Sequence, residues 1–288
     1  MTLLKNIFKL MRPKQWIKNF FVFGGLLFSY SFFDLNKVIT SIIVFILFCF
    51  ISSTVYIMND ILDVEKDRVH PKKKFRPIAS GAVMPREAVI AMIILLVISL
   101  GGGFLINKLV FGVLLLYLIN NIIYSFKIKH VVILDVISIA IGFLLRILAG
   151  GIAIDVSLSS WILLCTFSIS LFLGFEKRAN ELVKLEGKAN EHRKILDEYS
   201  SELLNDFTNV SMTCTIISYA MYTFMAYDHK YMMITNLFVV YGLFRYKYLI
   251  VKKGEGGSPT ETVLTDKSII INVLVWAVTS GAILMFFR

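Results

Sequence analysis

Apolar runs of close to twenty residues recur along the chain, and most end in a cluster of charges. A bilayer crossing needs roughly 20 mostly apolar residues. Nine stretches reach that length, at 16–33, 38–58, 86–105, 109–126, 131–153, 158–175, 207–226, 231–249 and 268–287. The pattern predicts an all-α integral membrane protein with nine transmembrane helices in one domain over residues 1–288. The first run begins near Trp16, is long enough to span, and is followed by no small-residue cleavage site, so a cleaved signal peptide is not expected. There is no sequence repeat and no low-complexity tract.

The charges fix an orientation. One set of connections carries Lys5, Lys9, Arg12, Lys14 and Lys18, then seven Lys/Arg from Lys66 to Arg86, then Lys127 and Lys129. It continues with six from Lys177 to Lys194 and five from Arg245 to Lys267. The opposite side holds only Lys37, Lys108, Lys230 and Arg288, and Arg146 falls inside a span. Loops rich in Lys and Arg stay on the cytoplasmic side. The N-terminus is therefore expected in the cytoplasm and the C-terminus outside, in an inner (cytoplasmic) membrane. The long connections 59–85, 176–206 and 250–267 all lie on the inner side, which marks it as the working face.

Composition agrees. Hydrophobic residues make up 57% of 288 and charged ones 17%, where a soluble domain carries about 25% charged. The net charge of +10 follows from orientation and anionic lipid, so no nucleic-acid partner is expected. Cys49, Cys165 and Cys214 lie in separate apolar runs and read as packing residues rather than disulfides or zinc ligands.

The chemistry concentrates in two places. In "NDILDVEKD" (59–67), Asn59, Asp63 and Asp67 are spaced i, i+4, i+8, which on a helix puts them within about 80° of one another. Asp60 lies beside them. Hard oxygen donors of this kind suit Mg²⁺ shared with substrate phosphates; the ordinary alternative is a solvated carboxylate face. An EF-hand does not fit, because Arg68 stands where the loop glycine is required. The following "HPKKKFRP" is a proline-broken loop. Its Lys72, Lys73, Lys74 and Arg76 can bind substrate phosphate or anionic headgroups. Arg76 is the best restrained of them, by the prolines and Phe75.

The second cluster is "GFEKRANELVKL" (174–185), with Lys177 and Glu181 at i, i+4 and Arg178 adjacent. Such a pair can be functional or simply helix-stabilising. Arg146, inside "IGFLLRILAGG", is expensive in a bilayer and is expected to face the bundle or a polar cavity. It suits a lipid phosphate, or else a packing ion pair. Gly150 and Gly151 are read as sites of close helix approach, and Gly101 to Gly103 likewise. Lys14 and Lys18, at i, i+4 on a helix starting near Pro13, point to one pocket side or snorkel to the interface. Trp16 reads as an interfacial anchor.

Together these motifs resemble the UbiA superfamily of membrane prenyltransferases. Its N-D-x-x-D-x-x-x-D box is matched in full from Asn59 to Asp67. A closer likeness is to the branch that makes polyprenylphosphoryl-5-phosphoribose. This branch is matched by R-P-x-Q-W-x-K-N at 12–19, R-x-H-P and F-R-P-I-A-x-G within 68–81, "LLRILAGG" at 144–151, and K-R-x-x-E-L at 177–182. The chain departs from the branch at "GEGGSPTETVLTD" (254–266) and at Glu176 and Asn180.

The resemblance implies a UbiA-type bundle with a cytoplasmic-facing active-site cavity, phosphoribosyl pyrophosphate as donor, polyprenyl phosphate as acceptor and Mg²⁺ as cofactor. Asn59, Asp63 and Asp67 would hold the metal, and Asp63, Asp67, Lys177 and Glu181 would carry the chemistry. The expected substrate contacts are Lys14, Lys18, Asn59, Asp60, Arg68, Lys74, Arg76, Tyr124, Lys129, Arg146 and Arg178. The nucleophile is already anionic, so no general base is needed, and His70 and His130 are expected to be structural. Two other readings stay open: prenyl transfer to an aromatic acceptor, and a transporter or lipid-binding protein without chemistry. The pattern does not fix the oligomeric state, and a homo-oligomer is compatible with it.

Overall fold

The computed structural model describes residues 3–185, 194–227, 229–253 and 259–287. It is helical throughout, with no strand among the described residues. The helices are α1 (Leu3–Leu10), α2 (Gly24–Phe28), α3 (Leu35–Leu62), α4 (Val64–Val69), α5 (Pro85–Ile106), α6 (Lys108–Phe126), α7 (Leu134–Ala153), α8 (Ser160–Leu185), α9 (Ser201–Met225), α10 (Asn236–Lys253), α11 (Pro259–Thr265) and α12 (Lys267–Phe286). The chain falls into two compact units. One comprises residues 1–126 and 145–157, the other 127–144 and 158–288.

Helix starts follow the polar residues between apolar runs. The Asp34 carboxylate accepts from the backbone amides of Asn36 and Lys37 at the head of α3. Ser200 accepts from Leu203 N at the head of α9, and Asp266 from Ile269 N at the head of α12. Each satisfies an amide that the first helical turn leaves without an intrahelical partner.

Among the described residues, seven helical segments are long and apolar enough to cross a membrane: 35–62, 85–106, 108–126, 134–153, 160–183, 231–252 and 267–286. Helix α5 shows why. Only Ala88, Leu95, Ser99 and Gly103 are buried, on one stripe, while Ile90, Ile93, Ile94, Val97 and Ile98 face outward. A helix apolar on its outer face has lipid as its natural solvent.

The other two expected spans differ. Helix α9 covers 207–226 but falls short of the apolar criterion because of a buried hydroxyl face. Thr208, Ser211, Thr215 and Ser218 return their hydroxyls to backbone carbonyls four residues back. Small hydroxyl residues of this kind serve close packing in lipid.

The 16–33 run is not one α-helix. It is a 3₁₀ segment, Pro13–Phe23, followed by the short α2 and a 3₁₀ turn, Ser31–Phe33. A 3₁₀ turn repeats every three residues. Along this segment Trp16 is half-buried, and Asn19, Val22 and Gly25 are buried at that spacing. What holds the unusual winding is backbone contact. A Cβ on Gly150 would lie 1.9 Å from the Val22 carbonyl oxygen, and one on Gly25 would lie 2.9 Å from Gly151 Cα. The expected close approach at Gly150 and Gly151 is therefore made to this segment. Gly102 and Gly103 are also crowded, by Leu47 and Leu114 side chains, whereas Gly101 is open.

Gly150→Ala is expected to cost about 3 kcal/mol or more, because the obstructing atom is backbone. Gly112→Ala, in open space, should leave stability within about 0.5 kcal/mol of the parent or raise it. Thermal denaturation midpoints of the two variants in detergent check this.

Candidate active site: two charged clusters

In the first unit, α3 gives way to α4 at Asp63, but the i+4 hydrogen bonds continue. Asp63 N donates to Asn59 O at 2.9 Å and Asp67 N to Asp63 O at 2.8 Å. The register that places Asn59, Asp63 and Asp67 along one side thus survives the break. Their exposures differ: Asn59 and Asp63 are partly open, whereas Asp60 and Asp67 are each 2% exposed.

Both buried carboxylates are neutralised by arginine. Arg76 Nη1 donates to Asp60 Oδ1 at 3.0 Å and to Asp67 Oδ2 at 2.5 Å, and Arg12 Nη2 also bonds Asp60 Oδ1. The loop that carries Arg76 is anchored by Ile78 and Val83, both buried with Leu10, Met11 and Ile57. Phe75, expected to restrain Arg76, is exposed instead. His70 Nδ1 accepts from the amides of Lys72 and Lys73, a structural role as anticipated. Lys72, Lys73 and Lys74 are exposed, Lys74 with its ammonium over the Phe75 ring. Arg68 pairs on the surface with Glu65 at 2.8 Å.

Further inside the same unit, Arg146 is 5% exposed. Its Nε donates to Asn19 Oδ1 at 2.7 Å and its Nη2 to Tyr117 OH at 2.9 Å. Asn19 Nδ2 in turn faces Cys49 Sγ and Ser52 Oγ. Arg146 thus joins the 3₁₀ segment, α3, α6 and α7 within the core. Trp16, expected at the interface, turns inward and donates to Ser53 Oγ. Lys14 and Lys18 do not share a face, because four steps of a 3₁₀ winding separate them by about 120°. Lys14 is exposed and Lys18 half-buried. Tyr124 is half-buried near the end of α6.

The second cluster lies in the other unit. Gly174 lets α8 approach the start of α7, since a Cβ there would lie 2.5 Å from Val136 Cγ1. One turn along, Arg178, 1% exposed, donates from Nε to Asp135 Oδ2 at 2.7 Å and from Nη1 to Glu181 Oε2 at 2.6 Å. Tyr199 closes the set. It donates to Asp135 Oδ1 at 3.1 Å and accepts from Ile133 N at 2.6 Å. Burial pushes the Tyr199 phenol up to about 12, so it keeps its proton for that bond. Ile133 is left-handed at φ 69, a costly state for a β-branched residue, and the bond from its amide helps hold it there.

Arg178 is therefore held between two carboxylates in this structure. Lys177, 39% exposed, stands 3.8 Å from Glu181. Lys129 is half-buried in the 3₁₀ turn Ile128–His130. The charges expected at 186–193 and the start of the departing 254–266 stretch lie outside the described residues.

Three of the organising residues were not predicted from sequence as site residues: Arg12, Asp135 and Tyr199. Asp135 carried a signal, as a lone carboxylate in the apolar run "VVILDVISIA" that must find a cation.

Among the described residues, no three His, Cys, Asp or Glu side chains converge as a ready-made metal cage. The donors still fit Mg²⁺, which takes one or two carboxylates and completes its shell with water and substrate phosphate.

The UbiA prenyltransferase family model matches residues 19–262, and the chain belongs to that family, a family of transferases. It is a multi-pass membrane protein. Over 99% of its length it is 33% identical to the decaprenyl-phosphate phosphoribosyltransferase of Mycolicibacterium smegmatis, covering 94% of that protein. It is 34% identical to the enzyme of the same name from Corynebacterium glutamicum, over 95% of this chain and 85% of that one. The fold matches a UbiA homolog from Archaeoglobus fulgidus bound to GPP and Mg²⁺, with TM-score 0.72, 19% identity, and 97% and 99% of the two chains covered.

Asp135→Ala is expected to cost about 3–5 kcal/mol, because it strips a buried guanidinium of one carboxylate. The double change Asp135→Leu with Arg178→Met should recover most of that loss. Chemical denaturation in detergent measures both.

Proposed function

We propose that this protein transfers 5-phosphoribose from phosphoribosyl pyrophosphate to a polyprenyl phosphate. The products are pyrophosphate and polyprenylphosphoryl-5-phosphoribose. The observation that carries the reading is the near full-length identity to the two phosphoribosyltransferases. It is joined to a cluster at 177–181 built on Lys, Arg and Glu rather than a second aspartate box. The reading takes 1–288 as one UbiA-like domain in the inner membrane with a cytoplasmic active-site cavity. The Pro13–Phe33 run and α9 supply the two crossings beyond the seven apolar helices.

Asn59, Asp63 and Asp67 would hold Mg²⁺, which, when bound with the donor's diphosphate, neutralises the leaving group. Arg76 supplies a cation for phosphate oxygens in the first cluster and Lys177 one in the second, and Lys72 to Lys74 add attraction at the rim of the first. Glu181, tied to Arg178 and close to Lys177, orients the lysine. The bond from ribose C1 to the pyrophosphate oxygen breaks, its electron pair leaving with pyrophosphate, and a lipid phosphate oxygen forms the new bond to C1. That oxygen is already anionic, so no side chain has to accept a proton. The lipid tail takes the apolar surface between helices.

Purified protein given labelled phosphoribosyl pyrophosphate, polyprenyl phosphate and Mg²⁺ should yield a lipid-soluble labelled product. Asp63→Ala and Asp67→Ala should each lower the rate by about a hundredfold or more. Labelled product only from a prenyl diphosphate and an aromatic acceptor would overturn the reading, and full activity in either variant would overturn the metal assignment.

A further inference from the structure

Arg12 and Arg76 converge on one oxygen, Asp60 Oδ1, but they are held differently. Arg12 sits at the junction of α1 and the 3₁₀ segment, with φ 55 and ψ 60, the left-handed region. Pro13 follows it, its own amide donates to Lys9 O at 3.2 Å, and its carbonyl accepts from Gln15 N at 2.8 Å. The guanidinium stacks over the Tyr56 ring at 5.1 Å. A non-glycine residue keeps such a backbone only where its surroundings over-determine it, and such residues concentrate at functional sites. Arg12 is thus a fixed counter-ion of Asp60.

Arg76 is divided. The same Nη1 that reaches Asp60 also reaches Asp67 Oδ2, a carboxylate assigned above to the metal. A guanidinium and a divalent cation repel each other and compete for the one carboxylate oxygen, Asp67 Oδ2, that Arg76 occupies. Arg76 must therefore leave that oxygen when a cation is taken up there. Where it can go depends on Asp60. With Arg12 in place, Asp60 is already neutralised, and Arg76 becomes surplus positive charge at the rim, 28% exposed. A diphosphate, with planar oxygen pairs suited to a guanidinium fork, is the natural recipient. Without Arg12, Asp60 would be a buried carboxylate whose remaining guanidinium partner is Arg76, and would retain it.

We infer that Arg12 is a positioning residue for the transfer reaction. By holding Asp60, it leaves Arg76 free to exchange between Asp67 and the diphosphate of the donor. This rests on the reading of Asp67 as a metal ligand and of a diphosphate donor.

Two measurements test it. The first is Mn²⁺ binding to purified, substrate-free protein, followed by electron paramagnetic resonance. Arg76→Gln removes the competitor at Asp67 and should tighten Mn²⁺ about tenfold; unchanged or weaker binding overturns the exchange. The second is a double-variant cycle on the KM for phosphoribosyl pyrophosphate. Arg12→Gln and Arg76→Gln should each raise KM about tenfold. The double variant should match Arg76→Gln alone, because Arg12 acts through Arg76. A product of the two effects, about a hundredfold, overturns the role of Arg12. Arg12→Lys keeps the charge on Asp60 and should hold KM within about threefold of the parent, so the inference stays testable if the glutamine variant does not fold. A protein that binds Mn²⁺ competitively with Arg76 but never consumes phosphoribosyl pyrophosphate would overturn the functional reading alone.

Discussion

A carboxylate buried in an apolar protein must be given a cation or lose its charge, and the polar architecture of this chain follows from that constraint. Asp60, Asp67 and Asp135 are each 2% exposed or less. Each is met by arginine: Arg12 and Arg76 on Asp60, Arg76 on Asp67, Arg178 on Asp135. The pairs also tie distant segments together, because Arg12 is 48 residues from Asp60 and Arg178 is 43 from Asp135. In a chain whose outer surface gains little from being buried against itself in lipid, such pairs and close backbone packing supply the specificity that a hydrophobic core supplies in water.

Backbone packing is the other half. The Val22 carbonyl rests where a Gly150 side chain would be, and Gly25 meets Gly151. That contact leaves no room for an ordinary helix with outward-pointing Cβ atoms on both partners. The segment Pro13–Phe23 winds as 3₁₀, and its three-residue period brings Trp16, Asn19 and Val22 to the inside. Asn19 then becomes the acceptor for Arg146 Nε. The tight winding thus places the amide that satisfies the intramembrane arginine.

Much of this was legible in the sequence. The apolar runs located six of the seven membrane-length helices to within a few residues, α8 running on past the expected end at 175 to Leu185, and Asn59, Asp63 and Asp67 could be placed along one side from spacing alone. The i+4 hydrogen bonds carry that spacing across the helix break. What escaped depended on partners remote in sequence. Lys14 and Lys18 were assigned a shared face on a 3.6-residue period, and nothing local distinguishes that from a period of three. Arg178 looked available to substrate because its neighbours Lys177 and Glu181 were the visible partners. Its fully buried partner is Asp135, on another helix. Arg76 is a loop residue, and only the folding of that loop onto α3 and α4, anchored by Ile78 and Val83, shows that it bridges two carboxylates.

The two kinds of cation divide the work by their chemistry. Arginine cannot shed its proton and offers several donors in one plane, so it can satisfy two acceptors at once from a buried position. Arg146 and Arg178 do so while buried, and Arg76 while partly exposed, and they hold carboxylates, an amide and a phenol. Lysine keeps its hydration on a flexible stem. Lys72, Lys73 and Lys74 are exposed in the first cluster, and the Lys177 side chain is 39% exposed in the second. An anionic ligand approaching either cluster would meet mobile ammonium groups first and fixed guanidinium groups behind them. Attraction would then come from charges that can follow the ligand, and orientation from charges that cannot. Arg76 is the exception that links the two roles, since it is partly exposed and shared between carboxylates, one of which already has Arg12.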